Sequence, residues 1–481
     1  MSGIHRKKIR ARRNAEEIIG RSGELEKLYS HAQGTSRSGG LFLLSRPGAG
    51  ATELLARTYD RLFTDCGNVI PIYFTFDRRD GNLLQSSRRF VREFLAQLIA
   101  FSRHEPELIY AAPSFEELGK LVPARDSVWL DELVELSASI TSSANADPLS
   151  AFTLPRRAAD LGKRLVVLLD AADESAYLDG SAELVERIKE QWNVAGFQFV
   201  LSAHRRFFGR DFAFPRMMLD MPDDNSARQI IAKFAANHGV SINDETRDLA
   251  ALQLGNDPSA IESIILRAAA NESSLESFSD LQRIYADEIF AGGIGVHYDR
   301  VIASATNSND AARKLIAILF DSISAETPLM PLEKWRVQFD LSEGEFKRMI
   351  DILNVEELIR VTSNRVAVMH ENTAFADCIR GRFRLELKGE DRAVVFATEL
   401  LKYVNRSPKL MGRHYRAASA LGVCELLSRF DGRRIPNALI DYDLFKDRYM
   451  GLAVNEISAK LQHDNEKTEL PKIIFSAPAE S

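Results

Sequence analysis

The sequence predicts an α/β fold in which a five-stranded parallel sheet is followed by a helical lid, a winged helix and a C-terminal helical region. Three observations lead to this prediction. Short apolar runs alternate with stretches of helical periodicity in the first half of the chain. The strand signals then stop, and helix-like segments follow. Finally, 481 residues are too many for one ordinary core, so several domains are expected.

The five predicted strands are short apolar runs bounded by polar or turn-forming residues. They are Leu41–Leu44, Val69–Phe76, Leu165–Leu169, Phe197–Leu201 and Met217–Met221. Segments with helical spacing separate the strands, for example Leu54–Phe63 and Phe90–Phe101. Residues 105–157 are irregular and rich in Ser, Ala and Pro, with one helical piece around Trp129–Ile140, so they are interpreted as an insertion.

Four lid helices are predicted beyond Asp224, and Asp257-Pro258-Ser259 is a plausible start for the third. They are Asn225–His238, Glu245–Leu254, Ala260–Asn271 and Phe278–Phe290. Three further helices and two strands joined by Ser363-Asn364 follow, which is the winged-helix arrangement. They are Ala311–Ile323, Pro331–Phe339, Ser342–Val355, Ile359–Thr362 and Arg365–Met369.

These elements predict a series of domains. The predicted parts are a basic arm (1–16), an α/β domain (17–224) that holds the parallel sheet and the insertion, the lid (225–300), the winged helix (301–372), a C-terminal helical domain (373–462) and a tail (463–481). The arm is either a solvated, flexible tail or a nucleic-acid contact.

Composition narrows the class of protein. A hydrophobic fraction of 45% and a charged fraction of 27% are typical of a globular chain, and a net charge of -6 argues against a protein built wholly to coat nucleic acid. The three cysteines form no C-x-x-C pair, which favours a reducing cytoplasm. Neither a secretory signal nor an apolar stretch of membrane-spanning length is evident, so we expect no membrane partner.

A glycine-rich loop follows the first predicted strand and reads Ser45-Arg46-Pro47-Gly48-Ala49-Gly50-Ala51-Thr52. Such a loop points backbone amides at a phosphate, and the following helix adds partial positive charge. The pattern G-x-P-G-x-G-K-[ST] is matched at Pro47, Gly48, Gly50 and Thr52 and missed at Ser45 and Ala51.

The change at Ala51 matters most, because the lysine it replaces contacts the β- and γ-phosphates and stabilises the transition state. The backbone amide of Ala51 remains available, and the Thr52 hydroxyl is a candidate Mg²⁺ ligand. Arg46 is a candidate for the missing charge. The sequence therefore predicts ATP or ADP binding with Mg²⁺ that is weakened or lost, and little or no ATPase activity.

A second motif supports the loop about 120 residues later. The apolar run ending in Leu168-Leu169-Asp170-Ala171-Ala172-Asp173-Glu174 delivers a carboxylate to the edge of the sheet where ligands bind. Asp170 fits a Mg²⁺-holding role, and Asp173 or Glu174 the orientation of an attacking water. The alternative is a surface turn after a buried strand.

At this point the chain resembles Orc/Cdc6-like AAA+ proteins and STAND signalling ATPases. Ile19-Gly20-Arg21-Ser22-Gly23-Glu24-Leu25 is similar to the segment that packs near the adenine in those families, and Leu168–Glu174 is similar to the NACHT form of the Walker B motif. The resemblance implies sensor-1 roles for Ser202 with Arg205 or Arg206. It further implies a lid contact by Pro258, and it leaves a sensor-2 arginine in doubt, with Arg267 the nearest candidate.

Several surfaces suggest partners. The nucleic-acid candidates are Arg6, Lys7, Lys8 and Arg10 in the arm, and Lys347 and Arg348 on the third winged-helix helix, where acidic residues are interspersed. Residues 470–475 form an apolar, β-prone tail that either docks on a protein partner or is disordered. A homo-oligomer is also compatible with the sequence.

Two hypotheses follow. In the first, the chain is a regulatory nucleotide-binding protein, in effect a pseudo-ATPase, that serves as a switch or scaffold for partner assembly in a bacterial signalling or defence system. In the second, it is an ATP-dependent DNA-binding protein of the origin-recognition or transposition-regulator type. A structural adaptor that binds no nucleotide is a third possibility.

Overall fold

The computed structural model describes residues 8–12, 18–34, 39–111, 113–142, 147–180, 184–194, 196–207, 214–325, 329–339, 341–369, 373–428, 434–437, 442–449, 452, 456, 460, 463 and 467–469. The chain divides into two compact units, Met1–Lys402 and Tyr403–Ser481. The first unit contains the sheet, the lid and the winged helix. No helix among the described residues is long and apolar enough to cross a membrane.

The core of the first unit is a parallel sheet of five strands, as predicted, and the strand order is β2-β3-β4-β1-β5. The strands are β1 (Gly40–Ser45), β2 (Ile70–Thr75), β3 (Leu165–Asp170), β4 (Gln198–His204) and β5 (Arg216–Leu219). All six residues of β3 are buried, because helices cover both faces of a central parallel strand. The carboxyl ends of β1, β3 and β4 therefore meet at one edge.

Four helices flank the sheet, and an insertion interrupts them. α1 (Ser22–Ala32), α2 (Ala51–Asp65) and α3 (Leu83–Arg103) come first in the chain. The insertion contributes α4 (Leu108–Ala111), α5 (Phe115–Lys120), α6 (Ser127–Ser142) and α7 (Leu154–Asp160), and α8 (Leu184–Trp192) follows β3. The insertion packs on α3, where the ring centroids of Phe90 and Phe152 lie 4.6 Å apart.

The lid consists of α9 (Asp224–Asn237), α10 (Asp244–Gln253), α11 (Pro258–Ala270) and α12 (Phe278–Ala291). α11 begins as the sequence predicts, with Asp257 as its cap and Pro258 in its first turn. The predicted start of α9 is shifted, because Asp223 provides the cap by accepting a hydrogen bond from the Ser226 amide. The next helix, α13 (Gly293–Ala305), was not predicted.

The winged helix comprises α14 (Asn309–Ser324), β6 (Leu329–Pro331), α15 (Leu332–Gln338), α16 (Glu343–Val355), β7 (Ile359–Thr362) and β8 (Arg365–Val368). Its strands form an antiparallel sheet in the order β6-β8-β7, in which β6 is an addition to the predicted hairpin. Ser342 and Glu345 form a capping box at the start of α16.

The remaining elements are mainly helical, so the predicted fold class is confirmed. α17 (Thr373–Arg382) continues into a π-helical turn (Phe383–Leu387), and α18 (Arg392–Ser428) contains Pro408. In the second unit, β9 (Arg434–Pro436) pairs with β10 (Lys467–Glu469), and α19 (Tyr442–Tyr449) lies between them in sequence.

Candidate functional site

The glycine loop leaves β1 and enters α2 with the geometry of an anion-binding turn. Gly48 and Gly50 have φ angles of +80° and +94°, in the left-handed region that favours glycine. Gly50 is the N-cap of α2, and no side chain caps this helix start. The uncapped amides and the helix dipole therefore favour an anion at this position. Thr52 is exposed in the first turn of α2, one residue after Ala51.

The Gly20-Arg21 segment lies beside this loop, and its predicted place near the adenine stays a prediction. Gly20 has a φ of +73°, and a Cβ at this position would stand 2.5 Å from the Ser226 hydroxyl on α9. The Arg21 guanidinium donates to the carbonyl of Ala49, 3.4 Å away, and to the carbonyl of Asp220 after β5. The segment therefore connects the loop with the start of the lid.

The lid also reaches the loop through the start of α11. Asp257 accepts hydrogen bonds from the amides of Ser259 (2.8 Å) and Ala260 (3.3 Å). A Cβ on Gly48 would lie 2.6 Å from an Asp257 carboxylate oxygen, so only glycine fits there. Burial raises the pKa of Asp257, although the nearby charge of Arg46 opposes the shift. The contact between lid and loop is thus made by Asp257, whereas Pro258 is buried in the first turn of α11 and its predicted role at the nucleotide stays a prediction.

Asp170 lies at the end of β3 and is held from both sides. It is 2% exposed, and its two carboxylate oxygens accept hydrogen bonds from the Tyr73 hydroxyl (2.9 Å) and the Ser202 hydroxyl. Burial raises the pKa of Tyr73, and the charge of Asp170 raises it further, so the phenol remains a donor. Ser202 also accepts from the Ala171 amide at 3.0 Å. The predicted sensor residue Ser202 is therefore a direct partner of Asp170.

Asp173 forms a buried ion pair with His204, the last residue of β4. The His204 Nδ1 atom lies 3.0 Å from an Asp173 oxygen. Burial alone would lower the pKa of His204, but the hydrogen bond and charge of Asp173 raise it to about 9. In return, burial raises the pKa of Asp173 less than His204 lowers it, so the net shift is downward. Asp173 is thus a carboxylate neutralised by an imidazolium.

Glu174 is bound by an arginine from the loop after β2. The Nη2 atom of Arg78 donates to Glu174 at 2.6 Å, and its Nε atom donates to the other oxygen. The same guanidinium lies 3.9 Å from the ring centroid of Tyr177 and donates to the Ser304 hydroxyl of α13 at 2.8 Å. In this arrangement both oxygens of Glu174 accept hydrogen bonds from Arg78, and its role in orienting a water stays a prediction.

The winged helix places a carboxylate among three arginines at the same edge. Glu357, which follows α16 and has a φ of +56°, is 7% exposed. Arg205 donates to it through Nη2 (2.8 Å) and Nε, while Arg46 and Arg206 pair with it at 3.4 Å and 3.9 Å. We call Arg46, Arg205 and Arg206 the arginine cluster. Its members come from the ends of β1 and β4, so the sheet itself brings them together.

The preceding residue, Glu356, faces the second group of charges. Its carboxylate lies 3.9 Å from Arg78, and the charge of His204 also acts on it. Burial raises the pKa of Glu356 in spite of these cations. Two consecutive acidic residues of the winged helix therefore cover two cationic groups at the carboxyl edge of the sheet.

The other predicted site residues lie elsewhere. Arg267 donates to the buried Glu288 within the lid at 2.7 Å and does not approach the glycine loop. Lys347 and Arg348 are exposed on α16. Arg6, Lys7 and residues 470–475 lie outside the described residues. Lys8 is exposed, whereas the Arg10 guanidinium lies 3.5 Å from Glu93 on α3. The nucleic-acid role of these residues stays a prediction.

Sequence reasoning missed Arg78, His204, Glu356 and Glu357. His204 could have been found, because it lies between Ser202 and Arg205, the predicted sensor-1 residues. The other three carry no motif that sets them apart from the remaining charged residues.

The residues present fit a phosphate group. The glycine loop, the uncapped start of α2 and the arginine cluster all favour an anion. When bound, Mg²⁺ supplies charge neutralisation to phosphates, and Thr52 and Asp170 are the residues that would hold it. Among the described residues, no group of three or more His, Cys, Asp or Glu side chains is arranged to bind a metal by itself.

Similarity between this chain and known proteins is found among solved structures. No protein-family model and no curated protein matches the chain. The chain is similar to the Walker-type ATPase PABY2304 of Pyrococcus abyssi, with 12% identity over 78% of this chain and 98% of that chain and a TM-score of 0.44. It is similar to the RuvB Holliday junction branch migration motor of Thermotoga maritima, with 13% identity over 76% and 97% and a TM-score of 0.37. It is also similar to the Aeropyrum pernix ORC1 protein in complex with DNA, with 15% identity over 75% and 92% and a TM-score of 0.37.

In this chain's own structure, the order of the five strands, the glycine loop after β1 and the carboxylate at the end of β3 define an α/β P-loop fold.

Proposed function

We propose that this protein is a phosphate-responsive switch that binds ATP or ADP with Mg²⁺ without turning it over efficiently. The observation that carries the proposal is Glu357 of the winged helix, held by Arg46, Arg205 and Arg206 at the edge of the sheet. A carboxylate and a phosphate oxygen use the same guanidinium donors, so a bound nucleotide and Glu357 compete for the cluster. Nucleotide binding then changes the position of the winged helix.

The contacts of the acidic residues favour a protein that binds nucleotide over one that hydrolyses it efficiently. Asp170 accepts from Tyr73 and Ser202, Asp173 pairs with His204, and Glu174 is bound by Arg78. Each of these three candidate carboxylates is thus already paired within the protein, whereas Thr52 is exposed. Ala51, which stands where P-loops have a lysine, also disfavours efficient hydrolysis, because the charge that would stabilise the transition state is missing.

The output of the switch is the surface that the winged helix presents after release from the sheet edge. In this proposal that surface engages protein partners, as in a regulatory scaffold of a bacterial signalling or defence system. The resemblance to STAND proteins motivates this assignment, and the self-contained pairing of the site supports it.

Native mass spectrometry and calorimetry test the nucleotide part of the proposal. Native mass spectra of the purified chain are expected to show retained nucleotide, or titration with ADP or ATP and Mg²⁺ is expected to give saturable binding. Hydrolysis should stay near the background rate and be insensitive to Asp170→Ala. Hydrolysis that collapses on Asp170→Ala would show a working ATPase, and failure to bind either nucleotide would support a structural adaptor.

A second candidate is an ATP-dependent DNA-binding protein. The observation that favours it is a set of exposed cations on the winged helix, Lys347 and Arg348 on α16 and Arg360 and Arg365 on the β7–β8 hairpin. Exposed Glu343, Glu345 and Asp351 on the same helix oppose it. Duplex DNA binding that weakens steeply with salt, and is reduced by Lys347→Ala with Arg348→Ala, would favour this candidate.

A further inference from the structure

The N-terminal segment of residues 8–12, which we call the N-terminal strap, is built into the surface of the P-loop domain. Ile9 and Ala11 are 3% and 7% exposed, while Lys8 and Arg12 are exposed. The backbone bends at Ile9, Arg10 and Arg12, and the Lys8 ammonium donates to the Arg12 carbonyl at 3.4 Å, so the strap is a compact turn with its apolar side chains toward the domain and its exposed basic side chains outward. The strap differs from the free arm that the sequence suggested, because its backbone and its apolar residues are both engaged.

The strap binds to a buried carboxylate of the P-loop domain. Asp60 of α2 is 3% exposed and accepts hydrogen bonds from three consecutive strap amides, those of Ile9 (3.0 Å), Arg10 (2.7 Å) and Ala11 (3.2 Å). Successive amides that converge on one anion form a concave binding surface. Such main-chain contacts do not depend on the side chains of the segment that makes them.

Two further acids and two aromatic rings complete the site. The Arg12 amide donates to Glu53 of α2 at 3.1 Å, and the Arg10 guanidinium lies 3.5 Å from Glu93 of α3. The carbon of that guanidinium lies 5.6 Å from the ring centroid of Tyr73 and 6.0 Å from that of Tyr59. The surface thus accommodates two apolar side chains, and between them it presents acidic and aromatic side chains to one cation.

We propose that the surface formed by Asp60, Glu53, Glu93, Tyr59 and Tyr73 is a docking site for a short basic peptide in a bent conformation, and that residues 8–12 of this same chain occupy it. The strap is held by a few hydrogen bonds and two apolar side chains, whose gain exceeds the entropy lost on ordering five residues by only a modest margin. The strap is therefore releasable, and the emptied site accepts a second peptide of the same pattern. This proposal does not depend on nucleotide binding.

Release has a consequence for Asp170. The Tyr73 ring that receives Arg10 on one side donates its hydroxyl to Asp170. A docked strap thus restrains the tyrosine that holds the central carboxylate of the candidate functional site.

Hydrogen–deuterium exchange on the full chain tests the docking. The amides of residues 9–11 are expected to be protected, and Asp60→Asn should increase their exchange by about tenfold or more, because a neutral amide is a weaker acceptor. Glu116→Gln, which removes an exposed acid from α5, is the matched control and should change nothing. Unprotected amides in the wild-type chain would overturn the proposal.

A peptide titration tests whether the site accepts a segment in trans. The probe is a fluorescent peptide with the sequence of residues 6–13, added to a full chain in which Ile9→Asp disables the strap but leaves the site intact. Saturable binding that weakens with salt and is lost when Asp60→Asn is added supports the proposal. Absence of binding, or binding that is unaffected by Asp60→Asn, contradicts it.

Discussion

Replacing Glu357 with glutamine gives the sharpest test of the proposed switch. The substitution keeps the size of the side chain but removes the negative charge that Arg46, Arg205 and Arg206 share. The arginine side chains are 20–40% exposed, so solvent screens part of each pair. Allowing about 1 kcal/mol for the two longer pairs and about 2 kcal/mol for the bidentate Arg205 contact gives a loss of about 3 kcal/mol.

A change of about 3 kcal/mol corresponds to an approximately hundredfold shift toward the released winged helix. We expect faster hydrogen–deuterium exchange in residues 352–362 and tighter binding of ADP with Mg²⁺ by calorimetry, since the carboxylate no longer competes. Glu333→Gln, an exposed acid on α15, is the matched control. If Glu357→Gln leaves both exchange and affinity at wild-type values, the competition argument is refuted.

Three further substitutions or titrations follow from the site. Ala51→Lys should strengthen nucleotide binding about tenfold, measured by calorimetry, without efficient hydrolysis while Arg78 holds Glu174. Gly48→Ala should lower the melting temperature more than Gly162→Ala, because both glycines have a φ of +80° but only Gly48 faces a neighbour; equal losses would show that the Asp257 contact is unimportant. The pKa of His204 is raised from its ordinary value of 6.5 to about 9 in the folded protein. The protonated imidazole therefore stabilises the fold fully below pH 6.5, and this stabilisation is lost as the pH rises through about 9. Thermal unfolding should therefore show a stability decline of at most about 1.4 kcal/mol per pH unit across that window, and His204→Gln should remove it.

The parallel sheet could be predicted because buried strands appear as continuous apolar runs. β3 is an example, since Leu165–Leu169 was predicted and Leu165–Asp170 is observed. α13 was missed because Gly292, Gly293 and Gly295 interrupt its helical signal. Gly295 has a packing reason, since a Cβ there would collide with the carbonyl of Ile289. The glycines that allow α13 to pack closely thus also weaken the sequence signal for this helix, which carries Ser304 to the site.

The glycine loop and Asp170 were predictable because each is a local pattern tied to the end of a strand. The partners of the acids were not, because they are joined only by the fold. Arg78 and Glu174 are 96 residues apart, and Arg205 and Glu357 are 152 residues apart. With 62 lysine and arginine residues in the chain, nothing in the sequence alone marks Arg78 as the partner of Glu174.

Glu356 and Glu357 are neighbours on one turn, yet they face two separate groups of cations. If the turn that carries both residues moves as a unit in the proposed switch, both contacts are withdrawn together, and release of the winged helix is expected to be cooperative. A ligand that competes for the arginine cluster would then also separate Glu356 from Arg78 and His204, so that an anion bound beside β1 changes the charge around the acids at the end of β3.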